Sequence, residues 1–255
     1  DMIISVRGNH VLFVGNSSST VLVYNYTNGN ITNPRQYSLP NITSPSLQQC
    51  LPKSLKMTNG NGSHVIVGCH SGIATMAWDS NTGILSPLFY YDNGSPLSTY
   101  TMAITPDNNY IIALDLQHIY TYSFNATTGS VKLVNEYNSY CGLTTDIVLS
   151  GDNRYVYVPV YLCKDFIESC RIIRYIHDQG RLSNPVSYPC PIPSFETTVG
   201  IRNLVLSPNR NYLLGTFNLG LFSYRIGSDG SLYDLHIYES NASNRLTLSP
   251  DSTTM

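Results

Sequence analysis

Short apolar runs alternate with turn-forming polar segments along the whole chain. Three strands are predicted in one clear example, at Leu204–Leu206, Tyr212–Thr216 and Leu221–Ile226, and a fourth from Ser231. The segments between them are rich in Pro, Asn, Asp and Gly, which accept the backbone angles of tight turns. Because no apolar period of 3.6 residues occurs, the pattern indicates four short antiparallel strands and no helix.

The same pattern occurs five times, and two landmarks define each copy. One is the start of the second strand, and the other is a glycine in the turn before the fourth strand. They are separated by 18, 18, 19, 25 and 18 residues. Four-stranded repeats of roughly 40 to 50 residues are typical of β-propeller blades. The strand starts are Val11, Val65, Tyr110, Tyr155 and Tyr212, and the glycines are Gly29, Gly83, Gly129, Gly180 and Gly230.

We therefore predict an all-β chain, a single β-propeller domain over residues 1–255 with five complete four-stranded antiparallel blades and the start of a sixth at Leu246–Asp251. Because an open propeller leaves unpaired edge strands, we expect a fragment of a larger propeller, or an incomplete one that a neighbouring molecule completes. In the alternative, a complete five-bladed ring, Leu246–Asp251 would duplicate the role of Ile3–Gly8. The predicted repeats are approximately 1–50, 51–99, 100–143, 144–200 and 201–244, followed by 245–255.

Composition limits the class of protein. The apolar content of 42% is normal for a folded chain, whereas only 12% of residues are charged and the net charge is -2. This balance argues against a nucleic-acid partner, which requires a basic face. Near-neutral, charge-poor surfaces tend to associate, so we expect either glycans on the surface or other protein subunits, including copies of this chain, against it.

Sequons and cysteines both favour a secreted, extracellular protein. The six cysteines form an even set, as in disulfide-bonded secreted proteins, although reduced thiols could also number six. No apolar run approaches the ~20 residues of a membrane span, and we take the chain that opens at Asp1 as mature or trimmed. N-glycosylation sequons, partly expected from composition, stand at Asn16, Asn25, Asn30, Asn41, Asn61, Asn93, Asn125 and Asn241.

The turn and strand motifs resemble those of the lactonase-like, YVTN-type seven-bladed β-propellers. The residues that carry the resemblance are Ile104–Tyr110, Leu149–Val158, Leu206–Asn209 and Leu248–Asp251. The resemblance extends along the whole chain and implies the propeller fold, but these motifs carry no chemistry, and fold alone does not transfer activity.

Blade geometry predicts the disulfides. Cys50 and Cys141 precede first strands, whereas Cys69 and Cys163 end the neighbouring second strands. Adjacent strand ends lie within disulfide reach, so we predict Cys50–Cys69 and Cys141–Cys163 on one face of the blades. This leaves Cys170–Cys190 on the same face; a Cys163–Cys170 bridge across the insertion is the alternative. A cysteine zinc site is disfavoured because no C-x-x-C pair occurs.

The sequence indicates no cofactor, no metal and no common catalytic motif. The segment Asp79–Gly83 slightly resembles a calcium loop but is better interpreted as a plain hairpin. Histidines at 10, 64, 177 and 236 are predicted to be solvated or at the surface. His70 and His118 are the two considered for a site, because they lie where second strands end.

Residues that enter first strands line the channel of a propeller, where ligands bind. They are Asp146, Arg202, Asn203 and Arg245. Asp146, Arg202 and Arg245 are therefore candidate catalytic residues that could bind a small anion or polar substrate. In the alternative, which we favour, these side chains pair with each other and fill the channel.

Three functions remain. The first is a secreted, glycosylated propeller that acts as a structural or interaction module, such as a filament subunit. Aromatic residues predicted near the blade rims, at Phe89–Tyr91 and Tyr100, could form a contact surface and add mild support, because tyrosine is enriched at protein contacts. The second is a lactonase-like hydrolase that uses the central channel, and the third is a carbohydrate-binding lectin.

Overall fold

The computed structural model describes residues 1–15, 18–39, 50–70, 72–92, 99, 101–139, 142–143, 146–161, 170–190, 201–217, 220–239 and 246. All regular structure within these ranges is β-strand. The chain divides into two compact units. Unit 1 contains Asp1–Asp115 and Ile119–Glu136, and unit 2 contains Leu116–His118 and Tyr137–Met255.

Unit 1 holds three four-stranded antiparallel sheets, in which each strand pairs with the next one along the chain. Sheet 1 consists of β1 (Met2–Ile4), β2 (His10–Val14), β3 (Thr20–Thr27) and β4 (Asn30–Ser38); sheet 2 of β5 (Pro52–Met57), β6 (His64–Cys69), β7 (Gly72–Asp79) and β8 (Ile84–Asp92); and sheet 3 of β9 (Thr101–Ile104), β10 (Tyr110–Leu114), β11 (His118–Phe124) and β12 (Val131–Asn138).

Unit 2 holds the fourth and fifth sheets. In sheet 4 the first strand is in two pieces, which pair with opposite ends of the second strand. Sheet 4 consists of β13 (Gly142–Leu143), β14 (Val148–Leu149), β15 (Tyr155–Tyr161), β16 (Cys170–Asp178) and β17 (Arg181–Pro189); and sheet 5 of β18 (Asn203–Leu206), β19 (Tyr212–Phe217), β20 (Gly220–Ile226) and β21 (Leu232–Glu239).

Both landmarks of the repeat agree with the strand bounds. The second strands begin at Tyr110, Tyr155 and Tyr212 as predicted, and at His10 and His64, one residue before the predicted start. We name the turn between third and fourth strands the Gly turn. Its glycine has a left-handed backbone, with φ between 68° and 82°, where a side chain would be strained. These glycines are Gly29, Gly83, Gly129, Gly180 and Gly230.

The turn between first and second strands is built around a serine or threonine hydroxyl, and we name it the hydroxyl turn. In all five sheets this oxygen accepts a hydrogen bond from the N–H that starts the second strand, at 2.8 to 3.1 Å. In three sheets the hydroxyl also donates to an Asp or Asn two residues later. The hydroxyl therefore replaces a backbone partner that the turn cannot supply. The residues are Ser5, Thr58, Thr105, Ser150 and Ser207.

Apolar cores form between neighbouring sheets within each unit. Leu12, Val21 and Val23 of sheet 1 pack with Leu55 and Val65 of sheet 2. A second cluster joins sheets 2 and 3, and a third in unit 2 joins sheets 4 and 5. Each fully buried aliphatic side chain stabilises its contact by about 1.5–3 kcal/mol, so these cores are the main attraction between sheets.

The prediction that His10 and His64 are solvated and that His177 is at the surface is wrong, because all three are buried. His10 meets the edge of Trp78 at 5.3 Å, and His64 meets Phe124 at 5.5 Å. Each contact joins one sheet of unit 1 to the next. The neighbouring sheet covers the start of the second strand, which sequence alone does not reveal. His236 is exposed, as predicted.

Acid is expected to weaken unit 1 through these imidazoles. Burial lowers the pKa of His64 below its usual 6.5, and burial followed by the Arg35 charge does the same for His10. The unfolded chain therefore binds these protons more readily, and stability falls as pH drops below about 6.5. Thermal unfolding measured from pH 7.5 to 5 should show this slope, and His64→Gln should reduce it.

The exposed His236 provides the matched control, since His236→Gln should leave the slope unchanged. An equal slope in His64→Gln and the parent chain would contradict this assignment.

Candidate functional site

A recurring acceptor lies four residues before the hydroxyl-turn serine, where the chain enters the first strand. In unit 1, Asp1 Oδ2 accepts the N–H of Leu55 at 3.0 Å, and Leu55 lies in the first strand of the next sheet. In unit 2, Asp146 Oδ2 accepts the N–H of Leu204 at 2.6 Å in the same way. A side-chain oxygen thus joins the first strands of neighbouring sheets.

Asp146 has further partners at this position. Its Oδ1 accepts the N–H of Ile147 at 2.9 Å, and its Oδ2 accepts Asn203 Nδ2 at 2.9 Å. Asn203 occupies the same repeat position one sheet later, and its Oδ1 accepts the N–H of Leu246 at 3.1 Å. Three repeats therefore use one arrangement. Such carboxylate and amide acceptors hold strand starts in place, because a backbone N–H without a partner is costly.

The candidate catalytic residues are only partly within the described chain. Asp146 and Arg202 are described, whereas Arg245 lies outside the described residues. Arg202 is exposed and precedes Asn203, and its backbone N–H donates to Thr216 at 2.9 Å. Arg202 is thus the residue immediately before Asn203, whose side-chain amide donates a hydrogen bond to Asp146.

A second recurring contact covers the Gly turn, and sequence analysis missed it. In sheet 2, the carbonyl oxygens of Thr82 and Gly83 accept hydrogen bonds from Arg35 Nη1 at 2.7 Å and from the Tyr37 hydroxyl at 3.2 Å, both of sheet 1. A Cβ on Gly83 would collide with the His10 ring. Only glycine at position 83 therefore lets this turn pack against the His10 ring.

The same contact occurs in unit 2. The Gly230 turn of sheet 5 lies on the Tyr155 ring of sheet 4, where a Cβ would come within 2.5 Å of the ring. Arg174 Nη1 donates to the Asp229 carbonyl at 2.8 Å, and the Tyr157 hydroxyl donates to the Gly230 carbonyl at 3.0 Å. The Tyr155 ring, the Arg174 guanidinium and the Tyr157 hydroxyl together contact the turn. The two arginines occupy different strands of their sheets, since Arg35 lies in β4, a fourth strand, and Arg174 lies in β16, a third strand. The sequence repeat therefore does not mark their positions.

Two of the predicted disulfide pairs are present. Cys50 is bonded to Cys69 with a Cα–Cα distance of 5.0 Å, and Cys170 to Cys190 at 5.4 Å. Each closes neighbouring strand ends within one sheet. These bonds are compatible with an oxidising compartment. The predicted Cys141–Cys163 pair lies outside the described residues.

Four sequon asparagines are described, and they differ in surroundings. Asn30, Asn61 and Asn125 are exposed at hydroxyl turns or Gly turns of unit 1. Asn25 is half-buried within β3, and its Oδ1 accepts Arg35 Nη2 at 3.2 Å. The other four, Asn16, Asn41, Asn93 and Asn241, lie outside the described residues.

The remaining candidate residues from the sequence analysis lie within turns, strands and apolar cores. Asp79–Gly83 is the Gly turn of sheet 2, in which Asp79 accepts hydrogen bonds from Asn81 and Thr82. Phe89–Tyr91 lies in β8 and packs against the cores on both sides of sheet 2, whereas Tyr100 lies outside the described chain. His70 and His118 are half-buried, at the end of β6 and the start of β11.

The described part of the chain contains no helix with the length and apolar character needed to cross a bilayer. Among the same residues, no group of three or more His, Cys, Asp or Glu side chains is arranged to hold a metal ion.

Comparison with solved structures identifies the fold as a β-propeller of the lactonase-like type. A candidate 6-phosphogluconolactonase from Bacteroides uniformis superposes with a TM-score of 0.71 at 16% identity, over 92% of this chain and 70% of that one. The periplasmic gluconolactonase PpgL of Pseudomonas aeruginosa gives 0.70 at 15%, over 92% and 71%. The β-propeller domain of Myceliophteria thermophila Cps50 (Swd1) gives 0.60 at 12%, over 92% and 71%. At these identities the similarity establishes the fold.

No protein-family model matches the sequence, and no curated protein matches it. The five sheets are thus propeller blades, as the repeat predicted.

Replacing Asp146 is expected to destabilise unit 2. Asp146→Ala removes the acceptor for the Leu204 N–H and for Asn203, which should lower the free energy of unfolding by about 1–3 kcal/mol. Denaturant unfolding measures the change. The exposed Asp178 gives the matched control, and equal stability of Asp146→Ala and Asp178→Ala would contradict the role.

Proposed function

We propose that this chain is a lactonase-like hydrolase. The observation that carries the proposal is its superposition, over 92% of its length, on lactonase-type propellers with TM-scores of 0.70 and 0.71. The substrate class is a small sugar-derived lactone, a cyclic ester whose carbonyl oxygen becomes negative during hydrolysis.

Arg202 is the proposed electrophilic group. Water adds to the lactone carbonyl carbon, the ring C–O bond breaks, and the ring oxygen leaves as a hydroxyl after taking a proton. A guanidinium beside the carbonyl oxygen stabilises the charge that develops there. Arg202 is exposed and its charge is permanent, which suits this task. Arg245 is the second candidate by sequence position.

Asp146 has a positioning role in this proposal. Its carboxylate accepts hydrogen bonds from Ile147, Asn203 and Leu204. It holds Asn203, and therefore the chain at Arg202, in place.

Lactone hydrolysis tests the proposal. The purified chain should open gluconolactone faster than buffer alone in a pH-stat assay, and Arg202→Ala should lower kcat/KM by about 10²-fold or more. Arg181→Ala is the matched control, since Arg181 is also exposed in unit 2 but begins β17, directly after a Gly turn. Turnover equal to that of buffer, or an unaffected Arg202→Ala variant, would refute the proposal.

A second candidate is a secreted structural or interaction module, with filament formation as one form of it. The two disulfides and the low charged fraction of 12% support it, because a charge-poor surface associates readily. N-linked glycans on the exposed Asn30, Asn61 and Asn125 would belong to this role.

Sedimentation velocity and negative-stain imaging test the second candidate. The purified chain should form concentration-dependent oligomers or ordered polymers between micromolar and millimolar concentrations. A single monomeric species across this range would exclude self-association.

A further inference from the structure

The hydroxyl turn of sheet 2 contains two Asn–Gly pairs. They are Asn59–Gly60 and Asn61–Gly62, which connect β5 to β6. Neighbouring sheets contact the turn on both sides. Asn108 of the sheet 3 turn binds the first pair, and a Cβ on Gly62 would come within 2.7 Å of Val6 of the sheet 1 turn. The surroundings of the two pairs are therefore set by residues of unit 1 alone.

An Asn–Gly pair is chemically reactive, because glycine has no Cβ to block the approach of its backbone nitrogen to the asparagine side chain. The nitrogen gives its proton to hydroxide and bonds to the asparagine Cγ, and the Cγ–Nδ2 bond then breaks. Ammonia leaves after taking a proton from water, which regenerates hydroxide. The product is a five-membered cyclic imide, and water opens it at either carbonyl to leave aspartate or isoaspartate.

Hydrogen bonds to sheet 3 hold the first pair. The Asn59 N–H donates to Asn108 Oδ1 at 2.7 Å, and the Asn59 carbonyl accepts Asn108 Nδ2 at 3.2 Å. Asn59 Nδ2 itself donates to the Thr105 carbonyl at 2.9 Å. Because Nδ2 is the leaving group, cyclisation at Asn59 has to break this bond and turn a side chain that the neighbouring sheet fixes.

The second pair is held differently. Asn61 is exposed, and its Oδ1 accepts the Ser63 N–H at 3.1 Å. Attack at Cγ places negative charge on Oδ1, so this N–H stabilises the intermediate as a donor in an oxyanion hole does. Gly62 has a left-handed backbone, with φ of 62°, which glycine adopts without strain. The hydrogen bond at Asn61 thus assists cyclisation, whereas those at Asn59 oppose it.

We propose that Asn61 is a site of spontaneous cyclic-imide formation, and that Asn59, which is also followed by glycine, is protected by sheet 3. Chains that carry no glycan on Asn61 convert there to aspartate and isoaspartate. This modification goes beyond both candidate functions and depends on neither.

Conversion changes the charge and the backbone of the turn. The net charge of -2 becomes one unit more negative. Isoaspartate adds a methylene to the backbone just before Ser63, whose carbonyl accepts the Trp78 N–H at 2.8 Å beside the pairing of β6 with β7. The Asn61–Ser63 sequon is lost, so glycosylation and imide formation compete for one side-chain amide.

Peptide mapping by tandem mass spectrometry tests the proposal. The oxidised chain, produced in a host that attaches no N-glycans, is incubated at mildly alkaline pH and digested so that Asn59 and Asn61 stay on one peptide. In the native chain, Asn61 should convert at least about 10-fold faster than Asn59, because opening the hydrogen bonds of Asn59 costs a factor of this order. In the chain unfolded in urea, where neither turn nor sheet holds the pairs, the two rates should differ by less than about 2-fold.

A variant separates protection by sheet 3 from the effect of local sequence. Asn108→Gly removes the amide that binds Asn59 and suits the left-handed backbone at this position, where φ is 59°. Conversion of Asn59 should then rise at least about 3-fold, whereas Asn61 should keep its rate. The matched control is Asn138→Gly, at an exposed asparagine of the same sheet, which should change neither rate.

Two results would overturn the proposal. One is a native chain in which Asn59 converts as fast as Asn61. The other is a native chain in which Asn61 stays intact while both pairs convert in urea, since the Ser63 hydrogen bond would then protect the side chain. An Asn59 rate that Asn108→Gly leaves unchanged would contradict the protective role of sheet 3.

Discussion

The structure depends on satisfying the backbone hydrogen-bonding groups where strands turn. Each blade is built of short strands, so turns interrupt its backbone at short intervals. The hydroxyl turn supplies an oxygen to the N–H that opens the second strand, and the Gly turn lets its carbonyl oxygens reach donors in a neighbouring sheet. Because unpaired buried backbone groups are costly, these few side chains decide where the sheets begin and how they pack.

The strands and turns could be predicted because they depend on local sequence. Short apolar runs after turn-forming segments located the second strands, and Gly230 and its four equivalents marked turns that require a left-handed backbone. The pair Cys50–Cys69 followed from strand ends that must be adjacent in an antiparallel sheet, and Cys170–Cys190 followed as the pair that remained.

Contacts between sheets could not be predicted in the same way. His10 looked solvated because it adjoins a turn, yet the next sheet covers it with Trp78 and Gly83. Asp146 looked like a channel acid, yet its oxygens bind Ile147, Asn203 and Leu204. The contacts of His10 with Trp78 and Gly83, and of Asp146 with Asn203 and Leu204, join residues about 60 or 70 positions apart. A single sequence does not show such pairing.

The disulfide in sheet 2 joins the two sides of a hairpin. Cys50 precedes β5 and Cys69 ends β6, so the Thr58 hydroxyl turn lies inside the loop that the bond closes. A protease that cut this turn would leave both segments covalently attached, with their ladder of backbone hydrogen bonds intact. The hairpin can therefore tolerate a nick, or an inserted peptide at its tip, without releasing either part of the molecule.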